Sequence, residues 1–459
     1  MMKSGVFDLN ASIERIGVGR LAVFVLGLGF VMMIADGYDT GIITVATPAI
    51  LRDWKIQPKD MGLVFSMSAI GLLIGSLFYG WLADRFGRRF TIILGTLNFG
   101  VPVLLTLWAT NVPELLLLRF IGGVGAGGIV PVAYTMASDY APRRMRSTVT
   151  VLTNLGFTVG VILTGFVAAR AIPVFGWKSL FLIGGVFSLV MALVLFLCLP
   201  ESILFLAIRR PDSLNLVKLV KRLLPNEVVP AGAHFVAIDP QDRQGESGRN
   251  PFLALFAGPR AVATGLLWAL FLFDALALFF LSNWLPVIME GAGVDHSTAS
   301  LSISLFFITG LAGGLIIMRF LDRNGPIAMV TFGIIGGPVE IFMGTPGISQ
   351  TVLLTTVALA GICIAGIHQS VYAIAVKFYP ASIRGTGVSS ATVFGRAGAA
   401  IAPLVGGYFL SAHMPLHELM IWAAAPCLVT AFVGIGLSLI YRNFDTPSAP
   451  LPLTEPALT

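Results

Sequence analysis

Two aspartates lie in the middle of the first long apolar stretch of the chain, in the run Ala35-Asp36-Gly37-Tyr38-Asp39-Thr40. On a helix, a spacing of three puts them on one face with Cβ atoms about 5 to 6 Å apart. Carboxylates that close, taken out of water, do not readily ionise together, which is the property a proton carrier requires. A helix cap at a break near Gly37 is the alternative reading. Arg119 falls inside another apolar stretch, where a guanidinium is costly unless it is paired or hydrated. It is therefore expected to find a partner or face a cavity, with snorkelling to the nearer membrane surface as the alternative.

The second part of the chain carries its own charged groups in apolar surroundings: Asp274, His368-Gln369 and Arg396. Asp274 reads either as a second protonatable site or as a helix contact that only hydrogen-bonds. His368 reads either as a contact for substrate or proton or as a packing residue. Arg396 suits a carboxylate ligand, because a guanidinium matches one bidentately, and Gln369 is a plausible cavity lining. Tyr38, Phe157, Phe279, Trp284 and Tyr372 are candidates for ring stacking, although packing and interface anchoring are the usual roles of membrane aromatics. Glu340 is assigned a structural role.

The elements that must position these groups are membrane helices. Apolar residues make up 56% and charged residues 11% of 459 positions, far from the soluble norm of about a quarter charged. Stretches of about 20 apolar residues, enough to cross a hydrocarbon core, occur twelve times, from Leu21–Thr47 to Leu416–Leu439, with the ninth at Ile327–Gly344. The expected fold is thus an all-α membrane protein. Its parts are a cytoplasmic segment 1–20, a six-helix bundle 21–199, a polar linker 200–259 with one short helix near Leu214–Leu224, a second bundle 260–441 and a tail 442–459. If the N-terminus is cytoplasmic, only Arg52, Lys55, Lys59, Arg170 and Lys178 of the 29 Lys and Arg lie outside, so both termini are placed in the cytoplasm. The first apolar run is too long and too polar at its centre for a cleaved signal peptide.

A shift of 238 positions brings unusual residues into register: Asp36 on Asp274, Pro48 on Pro286, Gly75 on Gly313, Asp84-Arg85 on Asp322-Arg323, Gly128 on Gly366, Pro142 on Pro380, Arg146 on Arg384 and Gly160 on Gly398. The charged and proline matches at one offset mark a duplication. With an even number of spans per unit, the two bundles are parallel repeats about an axis along the membrane normal, and substrate belongs between them.

The loop after the second span reads Gly80-Trp-Leu-Ala-Asp84-Arg85-Phe-Gly87-Arg88-Arg89. It resembles the G-x-x-x-D-R-x-G-R-R signature of the major facilitator superfamily. The run Arg119-x-x-x-Gly123-x-Gly125-x-Gly127 is similar to another of that family's motifs, and the D-G-Y-D around Asp36 resembles the hallmark of its aromatic acid:proton symporters. Leu199-Pro-Glu-Ser, Trp284-Leu-Pro286, Phe378-Tyr-Pro380 and Gly395-Arg396 extend the likeness over nearly the whole chain. The resemblance implies a twelve-helix fold and a cytoplasmic latch, made of Gly80, Asp84, Arg85, Gly87, Arg88 and Arg146, with Asp322, Arg323 and Arg384 as a weaker second copy because Met318 and Pro326 break its pattern.

It also implies symport of an aromatic carboxylate; the buried charges themselves make Asp36, Asp39, Arg119 and Asp274 the candidates for proton coupling, and Asp39, Arg119, Arg396, His368, Gln369, Tyr38 and Trp284 the candidates for the substrate site. Protons are the coupling ion, and no cofactor is expected. The expected partners are a small organic anion and the bilayer, which the same resemblance implies is a bacterial inner membrane. Symport of another organic or sugar acid is the nearest alternative, and export ranks below it. A membrane enzyme or receptor is weakened by the lack of H-E-x-x-H, paired histidines or a G-x-S-x-G elbow. The basic excess of +6 is dispersed between spans, which excludes nucleic acid. Cys198, Cys363 and Cys427 all sit in apolar runs and read as small buried hydrophobes, with no disulfide framework and no metal site. No obligate protein partner is implied.

Overall fold

The computed structural model describes residues 6–209, 213–223, 234–236, 251–258, 260–379 and 381–444. A strand β1 (Val6–Asp8) and helix α1 (Leu9–Ile16) lead into six apolar helices: α2 (Arg20–Trp54), α3 (Pro58–Phe86), α4 (Arg88–Leu105), α5 (Val112–Asp139), α6 (Arg146–Phe175) and α7 (Lys178–Cys198). Short elements follow: α8 (Ile203–Arg209), α9 (Leu214–Leu223), β2 (His234–Val236) and α10 (Pro251–Ala254). The second bundle is α11 (Arg260–Gly291), α12 (His296–Asn324), α13 (Ile327–Met343), α14 (Gln350–Ala360), α15 (Gly366–Phe378), α16 (Ala381–Ser411) and α17 (Leu416–Phe444). A π-helical turn, Gly361–Ala365, joins α14 and α15 into one span.

Among the described residues, 11 helices are long and apolar enough to cross a membrane, so this is an integral membrane protein. α13 is apolar but holds 17 residues, about 25 Å at 1.5 Å per residue, a little less than a hydrocarbon core of about 30 Å. The linker differs from expectation. Instead of one short helix it contributes α8 and α9, and β2 pairs in parallel with β1, Phe7 meeting Phe235 edge-on at 5.8 Å. Leu216, Val220 and Leu223 of α9 are buried, so this part of the linker packs as a cap on the first bundle. Cys198 also departs from expectation: it is exposed, at the end of α7 beside the exposed Phe196 and Leu197, on a face whose apolar character suits lipid.

The duplication in sequence is a duplication in packing. A Cβ on Gly160 would strike the carbonyl of Ile34, and one on Gly398 would strike that of Leu272; both members of the second contact are the 238-shifted mates of the first. Likewise Gly75 meets the Val124 carbonyl and Gly313 the Ile362 carbonyl. These glycines are needed because backbones come together there with no room for a side chain, the small-residue packing that holds helices together where there is no hydrophobic drive between them.

Among the described residues, polar contacts join the halves toward one end. Among the described residues, every cross-half hydrogen bond or ion pair comes from residues 52–72 or 162–169 on one side and 290–304 or 396–411 on the other. Ser66 Oγ donates to Ala400 O at 2.6 Å, Ser304 Oγ to Ile162 O at 2.6 Å, and the Lys59 N–H to Ser411 Oγ at 2.8 Å. All but one of these lie toward the end of the bundle away from the termini, and Arg396 makes the deepest. At the termini end no such contact joins the halves among the described residues.

Gly75→Ala is expected to destabilise the protein by about 1–3 kcal/mol through overpacking. Gly265→Ala, where nothing stands within 4 Å of the added Cβ, should be neutral or stabilising by up to about 1 kcal/mol. Thermal unfolding of the two variants in detergent, monitored by size-exclusion chromatography, checks the contrast.

Candidate functional site

α2 carries Asp36 and Asp39 into the interior of the first bundle, where Asp36 is 4% exposed. Asp39 faces α5, and Nη1 of Arg119 donates to both its carboxylate oxygens, at 2.9 and 3.0 Å. The Arg119 guanidinium lies 5.0 Å from the ring centre of Phe181 on α7, a cation–π contact worth about 2 kcal/mol or more when desolvated. The structure thus turns Arg119 inward instead of letting it snorkel. Its Nε and Nη2 groups are buried with no protein acceptor, each such donor costing about 1–3 kcal/mol.

The facing half places Asp274 of α11 and His368 of α15 together, Asp274 Oδ2 to His368 Nδ1 at 2.6 Å. Asp274 is buried with its Oδ1 unpartnered, while the His368 ring is 31% exposed and meets Phe279 edge-on at 6.2 Å. The π-helical turn just before Gly366 rotates the following residues relative to a regular helix, a distortion common at functional sites. Gln369 packs over Gly314 and is half-buried. Arg396 of α16 reaches across the gap and donates through Nη1 to Leu72 O at 3.0 Å.

Two proposed substrate contacts lie elsewhere. Tyr38 is buried against Gly184 of α7, its hydroxyl without a partner, because its place on the α2 helix turns it away from the face bearing Asp39. Trp284 is wholly enclosed in the seam between the halves, its Nε1 donating to Pro403 O at 3.3 Å and its ring edge-on to Phe65 at 5.6 Å. Neither opens onto the space between His368 and Asp39. Glu340 is fully buried in α13, near Cys363 and Cys427, with both oxygens unpartnered.

The side chain of Asp84, in the loop motif, is 77% exposed, and among the described residues its ion-pair partner is Arg88, at 4.0 Å. Gly80 stands in open space, and Arg85 lies over Trp81 and Phe86 at 5.6 and 5.7 Å. Gly87 adopts φ +105°, a region that suits glycine, and abuts Glu201. Glu201, which the sequence reading did not single out, accepts the N–H groups of Arg88 (2.9 Å), Arg89 (3.1 Å) and Ser202 (2.8 Å), so it caps the free, dipole-positive start of α4. Asp139, also missed, lies 3.8 Å from Arg88 Nε and within electrostatic reach of Arg146. The signals for both were acidic residues just past spans, in Leu199-Pro-Glu201 and Asp139-Tyr-Ala-Pro-Arg143. In the second copy Arg323 is exposed, Arg384 donates from Nε to Tyr379 O at 3.2 Å, and the Asp322 side chain lies outside the described residues.

At the far end Glu290 is gripped from both halves, by Arg52 of α2 and by His296 of α12. Arg52 and Glu290 are themselves 238 apart. Repeat mates can touch each other only where the pseudo-two-fold axis passes, so this ion pair marks the axis at the closed end.

Two helical bundles related by duplication, joined at one end and holding charged groups at mid-depth between them, define a membrane transporter. The chain belongs to the Major Facilitator Superfamily, whose family model matches residues 28–339 and 267–457. It is 32% identical to the 4-hydroxybenzoate transporter PcaK of Pseudomonas putida, over 95% of this chain and 97% of that one. It is 30% identical to the gallate transporter of the same organism (92% and 93%) and 28% identical to the benzoate transport protein of Acinetobacter baylyi (85% and 84%). In fold it is similar to the crystal structure of a bacterial homolog of the human lysosomal transporter Spinster, with TM-score 0.71 and 17% identity, covering 94% of this chain and 100% of that one.

If the axial ion pair holds the closed end, Arg52→Glu and Glu290→Arg should each loosen it, and the double charge swap should restore it. In a Cys198→Ser background, the reaction of maleimide with Ser66→Cys, at a position 1% exposed, should speed up by about tenfold, equivalent to ~1.4 kcal/mol, in either single variant and return to the parent rate in the swap. Equal rates in all four proteins would show that the pair holds nothing.

Proposed function

We propose that the protein imports an aromatic carboxylate together with one or more protons by alternating access of its two halves. In this reading the chain spans a bacterial inner membrane twelve times, α13 included, with both termini in the cytoplasm. The far end, with Arg52 and Glu290, is then external and shut, and the cavity opens inward.

The observation that carries the proposal is the Asp39–Arg119 pair inside the bundle, with Asp36 one turn away and two guanidinium nitrogens, Nε and Nη2, left unanswered. At an effective dielectric of about 20, two unit charges 4 Å apart interact by about 4 kcal/mol, more than the 1–3 kcal/mol typical of coupling between sites. A proton arriving on Asp39 removes the charge that holds Arg119 and leaves the guanidinium to a substrate carboxylate. Loss of that proton to the cytoplasm restores the pair and displaces the anion, so proton and anion move together. Asp36, on the same helix face, is the nearest group to receive or relay the proton, and Asp274 with His368 offers a second acceptor in the facing half. Arg396, His368 and Gln369 line the space in which the rest of the substrate lies. The substrate class is supported by relatives named for 4-hydroxybenzoate, gallate and benzoate. The open termini end and the exposed Asp84, free of any cross-half partner among the described residues, support an inward-open state with its latch undone.

Uptake of radiolabelled 4-hydroxybenzoate into energised vesicles should be abolished by protonophore and competed by benzoates but not by aliphatic acids. Asp39→Asn should remove proton-driven accumulation while expression persists; normal accumulation by that variant would refute its role. Arg119→Gln should lower apparent affinity by about 5- to 150-fold, and an unchanged affinity would return Arg119 to packing.

A further inference from the structure

Asp274 and His368 form a polar unit in the second half with one open edge. Asp274 is 2% exposed, its Oδ1 has no partner, and its Oδ2 stands 2.6 Å from His368 Nδ1. Among the described residues the imidazole is therefore the group that answers this carboxylate. An ionised carboxylate only accepts, so the ring proton sits on Nδ1 and is donated to Asp274. The bond made by one ring nitrogen fixes the role of the other, and Nε2 is left as an acceptor. Phe279, edge-on to the ring at 6.2 Å and 84°, restrains the imidazole from the side.

Among the described residues no protein group bonds Nε2, and the 31% of the side chain that stays exposed includes it. A bare ring nitrogen at mid-span is costly against lipid, so this edge faces the gap between the halves. The repeat mate of His368 is Val130, on a helix that runs unbroken from Val112 to Asp139, whereas the π-helical turn Gly361–Ala365 comes just before His368. The acceptor therefore belongs to the second half alone. Its depth is set by Asp274, the mate of Asp36, which lies one helical turn, about 4.5 Å at 1.5 Å per residue, from the Asp39 that holds Arg119.

We propose that His368 Nε2, positioned by Asp274, reads the hydroxyl at the end of the substrate ring opposite the carboxylate, by accepting that hydroxyl's hydrogen. The proposal rests on the reading of the protein as an aromatic acid carrier and names the ring substituent it selects. Arg119 takes the carboxylate in the first half, and a para hydroxyl points directly away from the carboxylate, toward the second. A site built to hydrogen-bond a substrate hydroxyl rejects the analogue that lacks it, because the protein's own polar group is then left unpaired. Asp274 touches the imidazole and not the substrate, and it acts by keeping the ring proton on Nδ1. One half thus answers the charge of the substrate and the other its substituent.

Displacement of radiolabelled 4-hydroxybenzoate from the purified full-length protein tests this with three para-substituted competitors. The 4-hydroxy and 4-amino compounds bring a hydrogen-bond donor to the para position, and 4-fluorobenzoate fills it with similar bulk and no donor. The wild type should bind 4-hydroxybenzoate about 2- to 12-fold more tightly than 4-fluorobenzoate, the equivalent of ~0.5–1.5 kcal/mol for one hydrogen bond, and 4-aminobenzoate should also exceed the fluoro compound. The hydroxy-to-fluoro ratio should fall to about one in His368→Phe. Because that variant leaves the Asp274 carboxylate unanswered, Asp274→Leu combined with His368→Phe is measured beside it; exchanging both partners for apolar groups is close to neutral for folding, and the ratio should be about one there too. Asp274→Leu alone keeps the imidazole but not the bond that fixes its proton, and should lower the ratio; an unchanged ratio overturns the positioning role of Asp274. A wild type that binds the hydroxy and fluoro compounds alike overturns the proposal without any variant, as does a His368→Phe or double variant that keeps the wild-type ratio. A 4-amino compound bound no better than the fluoro one also overturns it, since the hydroxyl would then be read as an acceptor. Wild-type protein that binds no aromatic acid at all sinks the functional reading itself, a result distinct from any of these.

Discussion

A guanidinium inside a membrane bundle has to be answered by the protein, since hydrocarbon offers it nothing. Arg119 is answered twice, by the Asp39 carboxylate and by the face of Phe181, and the three residues come from three helices, α2, α5 and α7. Those helices must therefore be held in fixed register, and close glycine crossings do this. Gly37 and Gly160 bring α2 against α6, while Gly123, Gly127 and Gly75 lock α5 to α3. The charge site and the glycine packing are one design: small residues fix the backbones, and the fixed backbones let a buried ion pair form at good geometry. The answer remains partial, with two guanidinium nitrogens unpaired.

The second half keeps the packing of the first but not its electrostatics. The mates of Asp39 and Arg119 are Ala277 and Val357, both buried, so the ion pair has no counterpart there. The mate of Asp36, Asp274, survives and is answered by His368 of α15, just past the π-helical turn that joins α14 to it. Helix crossings that hold backbones together have been retained in both copies, as the paired Gly160–Ile34 and Gly398–Leu272 contacts record. The groups that carry charge have diverged. Such a division lets each half move as a rigid body while the two contribute different chemistry to one cavity.

Much of this was legible in the chain because charge in an apolar run is conspicuous. Asp36, Asp39, Arg119, Asp274 and His368 stand out by type and position alone, and the structure brings them into two pairs plus Asp36. Residues whose meaning depends on direction were not legible. Tyr38 and Trp284 looked equally available, but a helix has a back face and a seam as well as a cavity face, and they fell on those. Glu201 was hidden for a similar reason, since capping the start of α4 from 113 residues away is a tertiary fact.

The two ends of the molecule bear opposite relations to the same motion. Among the described residues, the halves are joined at the far end by hydrogen bonds from hydroxyls to carbonyls, by a backbone N–H donating to the Ser411 hydroxyl and by one axial ion pair, contacts that are individually modest and can be exchanged for others. At the termini end, Asp84 is exposed and Arg88 is spent within its own half on Asp139 and Phe205. Arg88 is thereby held at the surface by partners that do not move relative to it, close to where a second half could return. A charged loop stored in this way costs little to engage and little to release. That is what a carrier needs if neither closed end is to be so stable that it stops the cycle.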